Sequence, residues 1–379
     1  MNEGLIYLDY NASAPVRPEV LAVMEDVFRT VPGNASSIHS RGRRARALVE
    51  EARERLGSAL GVAPAELIFT GGGSEADNLA LKGTAYAHGR GHLITTAIEH
   101  PAVLETCRYL AGVGFDLSVV KCDAEARVDP AAILAALRPD TILVSVMAAN
   151  NEVGTIQDLA GIRAALGSSR VSFHSDSIQA LGKTFLDLAP VDMATFSAHK
   201  LGGPQGVGAL YLRSGTKLHS LVHGGGQEVG MRAGTENVAG IVGFSLAAEL
   251  VRGELDAYVK RVSRLRDLLE ERIVDLVEGV RLHGPRKGRL ANTANISFPG
   301  IPGEAVVLGL DARSIAVSTG SACSSGQLEP SHVLSAMGVS PEEGKEAVRI
   351  SLGPDTTREQ VLTVAGALSE VVAGFRRLV

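Results

Sequence analysis

Lys200 lies in the run Thr195-Phe196-Ser197-Ala198-His199-Lys200-Leu201-Gly202-Gly203-Pro204, where a β-rich stretch gives way to a glycine-rich turn. Lysine is seldom placed at a strand end among apolar and glycine neighbours without a task. A desolvated amine there has a lowered pKa and becomes a nucleophile able to form a Schiff base. Asp176, 24 residues earlier in His174-Ser175-Asp176-Ser177-Ile178-Gln179, sits at the expected C-terminal end of a buried strand. Ligands bind at that edge of open α/β sheets, and a buried carboxylate needs a cationic partner. Gly71-Gly72-Gly73-Ser74-Glu75 follows a third strand-like run and opens a helical pattern. Glycines let backbone approach a ligand, and a helix N-terminus favours an anion, typically phosphate.

Each segment alone is ordinary: a capped helix after a glycine turn, or an aspartate in a turn, would use the same residues. Together, on successive strand ends, they describe a pyridoxal phosphate (PLP) site, with Asp176 keeping the pyridine nitrogen protonated so that the ring is an electron sink. The glycines also match a dinucleotide fingerprint weakly. That site needs an acidic residue about 20 positions on, at the end of the next strand. The next strand ends near Thr96 with no carboxylate before Glu99, which disfavours NAD.

The elements that must hold these residues alternate. Strands are expected at Leu67–Thr70, His92–Thr96, Asp116–Val120, Thr141–Met147, Val171–Asp176, Met193–Ser197 and Val207–Leu212, with helices at Ser74–His88, Pro101–Ala111, Pro130–Leu137 and Leu159–Leu166. Alternation implies parallel strands covered by helices, and continuous apolar runs suit a sheet buried on both faces. The last two strands have no room for a helix between them, so one pair there is antiparallel. A long helix is expected from about Glu254 to Val280, on the spacing of Leu255, Val259, Val262, Leu265, Leu268 and Leu269. Strands at Asn295–Phe298, Ile315–Ser318 and Val348–Ser351 and a helix after Thr356 then read as a smaller α+β domain; Leu5–Leu8 is strand-like and could join either unit. The division is therefore a large domain over 15–253 and a small one made of 1–14 and 254–379.

Composition narrows the function. A net charge of −5 gives no electrostatic reason to expect nucleic acid, and the absence of Trp argues against base-stacking platforms. The arginines of Arg41–Leu56 are interleaved with Glu50, Glu51 and Glu54, as on a solvated helix face. Apolar runs are too short for a membrane helix, and the start lacks the features of a signal peptide; the expectation is a cytoplasmic protein without a membrane partner. Three cysteines, Cys107, Cys122 and Cys323, make no disulfide framework. The histidines show no zinc spacing, so no metal site is expected. Cys323 stands in Ser318-Thr319-Gly320-Ser321-Ala322-Cys323-Ser324-Ser325-Gly326, a small-residue context suited to a functional loop and poor in the apolar flanks of a buried structural cysteine.

Over essentially its whole length the chain resembles cysteine desulfurases of the NifS/IscS type, within the fold-type I, class-V aminotransferase-like PLP enzymes. The resemblance is carried by YLDYNASAPV, GGGSEADN, IEHPAV, NNEVGTIQD, HSDSIQALGK, FSAHKLGGPQGVGALY, HGGGQEVGMRAGTEN, STGSACSSG and VRISLG. It implies an α/β fold, with a large domain built on a mostly parallel seven-stranded sheet flanked by helices and a small α+β domain carrying the cysteine loop. It implies that Lys200 is the Schiff-base lysine, that Asp176 pairs with the pyridine nitrogen and Gln179 with the ring 3′-oxygen, and that His100 stacks on the ring and acts as acid–base. Gly73, Ser74, Ser197 and His199 would bind the phosphate, completed by Thr235 from the partner subunit of a homodimer. Asn151, counted with the cofactor pocket, and Arg349 would hold the substrate carboxylate; a guanidinium suits that role because it grips with two parallel bonds. Cys323 would be the thiolate that takes sulfur from L-cysteine as a persulfide, leaving L-alanine. Cys107 and Cys122 fall in no matching motif.

Ser74 stands where many relatives carry Thr, which preserves the hydroxyl. The connection LEPSHVLSAMGVSPEEGKEA resembles the group whose extended cysteine loop hands sulfur directly to an acceptor protein, for iron–sulfur assembly, thio-cofactors or tRNA thiolation. A selenocysteine lyase or another class-V aminotransferase remains an alternative, and a non-catalytic sulfur-assembly partner is an alternative of another class.

Overall fold

The computed structural model describes residues 4–319 and 330–377. After a short strand β1 (Ile6–Tyr7) come helices α1 (Pro18–Thr30) and α2 (Ser40–Leu60). Then strand and helix alternate: β2 (Leu67–Thr70), α3 (Gly73–His88), β3 (His92–Thr96), α4 (Pro101–Gly112), β4 (Asp116–Val120), α5 (Pro130–Ala136), β5 (Thr141–Ser145), α6 (Leu159–Leu166), β6 (Ser172–Asp176), β7 (Met193–Ser197) and β8 (Gly208–Leu212). The seven strands β2–β8 form one sheet in the order β2-β8-β7-β6-β5-β3-β4. Only β8 runs against its neighbours, as the missing β7–β8 helix requires. The C-terminal ends of β2, β3, β5, β6 and β7 therefore share one edge, which carries the chemistry-bearing motifs.

Residues alternate across this sheet. Leu93, Leu143, Met193 and Leu210 pack with α3 and α4, while Ile94, Val144, Ala194 and Ala209 face a second core that includes α2 and α6. Burial on both faces explains the continuous apolar strands.

Helix α7 (Val238–Leu276) follows, then β9 (Arg281–His283), β10 (Thr293–Ser297), α8 (Gly303–Asp311), β11 (Ile315–Ala316), β12 (Ser318–Thr319), α9 (His332–Ala336), α10 (Pro341–Lys345), β13 (Ala347–Ser351) and α11 (Arg358–Arg376). An antiparallel sheet β12-β13-β10-β9 packs with α8, α11 and the C-terminal part of α7 around Phe298, Val348 and Leu368. The expected strand Ile315–Ser318 is two: β11 pairs in parallel with β1, and β12 joins β13. Among the described residues no helix is long and apolar enough to cross a membrane.

Helix α7 begins sixteen residues before the expected Glu254 and runs unbroken through position 254. Its first part, Ala239–Ala248, is buried almost all round, so it lacks the one-sided period that marks a surface helix. Asn237 caps it by accepting the Gly240 N–H at 3.0 Å. Helix α1 and strand β9 also lie outside the expected elements.

Helix α2 is not simply a solvated face. Ala45, Val49, Ala52 and Leu56 are buried, and Arg53 turns inward to meet Glu228 through two bonds of 2.9 and 2.8 Å. Glu228 also accepts the Phe69 N–H at 2.8 Å, so a loop far along the chain is tied to β2. Breaking a buried pair strands its partner. Arg53→Met should lower the unfolding free energy by about 3 kcal/mol in urea titrations; Arg44→Met, which breaks an exposed pair with Glu51, should change it by less than about 1 kcal/mol.

Candidate active site

Asp176 ends β6 and is buried; its carboxylate accepts the Ile178 N–H at 3.0 Å. Burial pushes this acid up to about 6, opposed by that N–H and by Lys200. Lys200 occupies the turn Ala198–Lys200 directly after β7, and its Nζ donates to the carbonyls of Asn11 and Ala12, both at 2.7 Å. His100 caps α4: Nδ1 accepts the Ala102 N–H at 3.1 Å, which leaves the neutral ring's proton on Nε2. Burial, with Lys200 and His332 adding repulsion, holds His100 down to about 4. One ligand atom from each of His100, Asp176 and Asp77 lie within 4.8 Å of one another, so the β3 and β6 ends converge.

Asp77 was not anticipated. It sits on α3, fully buried, accepting the Thr195 hydroxyl at 2.6 Å, while its Oδ2 has no hydrogen-bond partner among the described residues. Burial, then Asp176, raise its pKa well above the usual carboxylate range. A signal existed in the sequence: an acid between Ala76 and Leu79-Ala80, on the apolar side of a helix. His174, two residues before Asp176 and on the same strand face, lies with its Nε2 3.7 Å from Asp77 and its Nδ1 2.9 Å from the Ser145 hydroxyl. Burial holds it down to about 3. Glu99, beside His100, accepts the Thr96 hydroxyl and the Met147 N–H at 2.6 and 2.9 Å and is pushed by burial up to about 8.

The glycine segment forms a cradle. Gly72 has φ +153° and ψ 179°, a backbone state nearly restricted to glycine. A Cβ on Gly73 would meet Ile178 Cδ1 at 2.3 Å, and one on Gly208 would meet backbone of Phe196 and Gly72 at 2.6 and 2.7 Å. Beyond lies a cleft of about 420 Å³ bordered by Gly73, Ser74, Ser197, His199, Ser13 and Gln205. His199 Nδ1 is 3.3 Å from the Ser13 hydroxyl, and burial with Lys200 holds the ring down to about 4. Hydroxyls, an imidazole and the first turn of the sixteen-residue α3 make a donor set for a phosphate. With a buried carboxylate at the end of β6 and a lysine just past β7, these residues fit a phosphorylated pyridine aldehyde.

Gln179 Nε2 donates to the Asn11 carbonyl at 2.9 Å, the acceptor that also receives Lys200. The Asn151 carbonyl accepts from Arg349 Nη1 at 3.3 Å and from Asn11 Nδ2 at 3.1 Å; Arg349 Nη2 reaches Asp9 at 2.9 Å, and its buried Nε has no partner among the described residues. Thr235 is exposed and is not among the residues bordering its own chain's cradle. Cys323 lies outside the described residues. Cys107 is buried and pushed up to about 12, and Cys122 is half-buried and also raised, burial being the main cause for both; both favour the unreactive thiol. Asn11 and Lys183, central to the hydrogen bonding, were missed because neither stands in a spacing that signals chemistry.

The model of the class-V aminotransferase family matches residues 6–364, and the chain belongs to that family. Within it, the chain is 45% identical over 378 residues to a protein of Dictyoglomus turgidum named cysteine desulfurase IscS, covering 98% of this chain and 96% of that one. A Clostridium botulinum protein of the same name is 42% identical, with the same coverage. Among solved structures, a NifS-like protein superposes with a TM-score of 0.93 at 38% identity, covering 98% of this chain and all of the other. A structure described as SspA in complex with cysteine gives a TM-score of 0.81 at 34% identity, covering 93% of this chain and all of the other.

The buried ring of His174 yields a pH signature. Unfolded, it protonates below roughly pH 6.5; folded, it stays neutral down to about 3. Between those values unfolding takes up a proton, so its contribution falls as the pH falls. In urea titrations the stability difference between wild type and His174→Gln should shrink from about pH 6 to 4, by at most about 1.4 kcal/mol per pH unit, and stay flat above about pH 7. Glu99 titrates in both proteins and cancels. A difference independent of pH would contradict a buried neutral ring.

Proposed function

We propose that the chain is a PLP-dependent cysteine desulfurase acting as a homodimer: it converts L-cysteine to L-alanine and carries the sulfur as a persulfide on Cys323. The observation that carries this reading is the convergence of Asp176 and His100, with Lys200 as a charged neighbour of both, on one buried sheet edge, in a chain 42–45% identical to proteins named cysteine desulfurase. Gly73, Ser74, Ser197 and His199 would hold the phosphate, with Thr235 of the partner subunit. Asp176 would face the pyridine nitrogen and Gln179 the 3′-oxygen. When bound, the group supplies an electron sink for charge developing at the substrate Cα.

Arg349 and Asn151 orient the substrate carboxylate. Lys200 removes and returns the Cα proton as a general base and acid. His100 covers the ring face, with Nε2–H free of the helix-capping bond to serve the departing side. The Cys323 thiolate attacks the substrate sulfur: a new S–S bond forms, the Cβ–S bond breaks, and Cβ keeps the electron pair and gains a proton. The persulfide then passes to a protein acceptor, an iron–sulfur scaffold or a thiolation enzyme, in the cytoplasm.

The loop leading to Thr235 supports the dimer. Val229 is 96% exposed at φ +55°, next to Glu228 at φ +48°. A β-branched residue in that region is an outlier, and an exposed apolar side chain on a held, strained loop suits burial against a second copy.

Cys323→Ala decides the mechanism. It should keep the visible absorbance band of the PLP-loaded enzyme, lower alanine formation from L-cysteine by at least ~100-fold, and abolish the added sulfur atom that mass spectrometry finds on the wild type after L-cysteine. Desulfuration surviving this substitution, or sulfur found on Cys107 or Cys122 instead, would overturn the assignment. Lys200→Ala should lose the band.

A further inference from the structure

We propose that Lys183 is a positioning residue that fixes which way round the Gln179 carboxamide sits, turning its NH2 edge toward Lys200. Lys183 is buried, and its Nζ donates to Gln179 Oε1 at 2.5 Å and to Asn11 Oδ1 at 2.9 Å. The two ends of a carboxamide have nearly the same shape, so sterics alone do not choose between them. An ammonium only donates, and therefore selects the oxygen. Asn11 Oδ1 is fixed separately, because Asn292 Nδ2 donates to it at 3.0 Å. The Gln179 NH2 is left on the far side, donating to the carbonyl that also accepts Lys200. Burial, with repulsion from Lys200 and Arg349, lowers the Lys183 pKa well below its usual value, and Asp9 opposes the shift. In either protonation state the two oxygens each take one amine hydrogen.

This inference rests on the cofactor reading above, in which Gln179 donates to the ring 3′-oxygen. Without Lys183, Gln179 Oε1 loses the donor that holds it, and the bond from Nε2 to the Asn11 carbonyl is the one hold left, among the described residues, against a turn of the amide. Its oxygen would then face the 3′-oxygen, and a donor would become a repulsive acceptor.

The test is the pH titration of the visible band in the PLP-loaded enzyme. A hydrogen bond to an oxyanion favours the deprotonated form, so losing it raises the midpoint. Lys183→Met should raise the midpoint by about half a pH unit or more, as should Gln179→Ala. The double variant should match Gln179→Ala alone, because residues acting through one group are not additive. Lys183→Gln, which keeps a donor, should restore most of the wild-type midpoint; Lys183→Ala, which keeps none, serves as the test variant if the methionine protein does not fold. An unmoved midpoint in Lys183→Met, or in Lys183→Ala where that is the variant that folds, overturns the inference. So does a Lys183→Met shift that adds fully to that of Gln179→Ala, which would be a direct charge effect. A wild type that takes up PLP without a visible band sinks the cofactor reading and this inference together; a normal band with an unmoved Lys183 midpoint sinks the inference alone.

Discussion

The structure turns on one buried asparagine. Asn11 Nδ2 donates to the Asn151 carbonyl and the Thr293 hydroxyl, Oδ1 accepts from Lys183 and Asn292, the main-chain oxygen accepts from Lys200 and Gln179, and the main-chain N–H donates to the Ser351 hydroxyl. Each polar atom of the residue is engaged. A buried network satisfied this fully is rigid, and the same network with a member removed is costly. Its partners come from the loops at the β5, β6 and β7 ends and from β10 and β13. The Schiff-base candidate, the 3′-oxygen candidate and the small sheet are thus placed against one another through a single residue.

The remaining site is shaped by removing acids from water. Asp77, Glu99, Glu152 and Asp176 are all buried, and burial is the leading cause that raises each. Asp77 and Asp176 also repel. Close, buried carboxyls do not all ionise together. The arrangement favours a neutral Asp77 behind an Asp176 that a cation would hold ionised, with neutral His174 beside them. A pyridinium is a cation of the right kind. Lys200 lies close enough to lower the Asp176 pKa but spends two hydrogen bonds on carbonyls. Among the described residues the Asp176 carboxylate enters no ion pair within 4 Å, which suits it to a cationic ligand.

How much of this was legible in the sequence depended on how far apart the cooperating residues lie. The strands β2–β8 read clearly because both faces are buried and turns punctuate them; the lone antiparallel strand followed from a loop too short for a crossover. Lys200 and Asp176 stood out because each sits at or just past a strand end, whereas His100 came only from the resemblance of IEHPAV. The first part of α7 was not, because a helix buried all round has no periodic face. Nor was Arg53: its partner Glu228 is remote, and alternating charges on a helix resemble a solvated surface. Asn11 and Lys183 gave no signal, since their importance comes from contacts across the chain. Asp77 gave only a weak one, an acid on the apolar side of a helix.

The N-terminal segment explains why the two halves of the site stay in register. Strand β1 lies parallel to β11, Asp9 bridges to Ser351, and the chain then enters the cradle, where Ala14 N–H bonds the His199 carbonyl. Within this run Asp9 holds Arg349, Asn11 holds Lys183, Asn151 and Lys200, and Ser13 meets His199. The residue suited to grip a substrate carboxylate and the lysine suited to act on its Cα are therefore spaced by the tight turn from Asp9 to Ala12, closed by the Ala12 N–H on the Asp9 carbonyl at 3.0 Å. Helix α7 crosses between the cores and packs against the turn that carries Lys200. A long helix sets how the units lean on each other; a short, tightly bonded turn sets the distance between a charge and the atom it must serve.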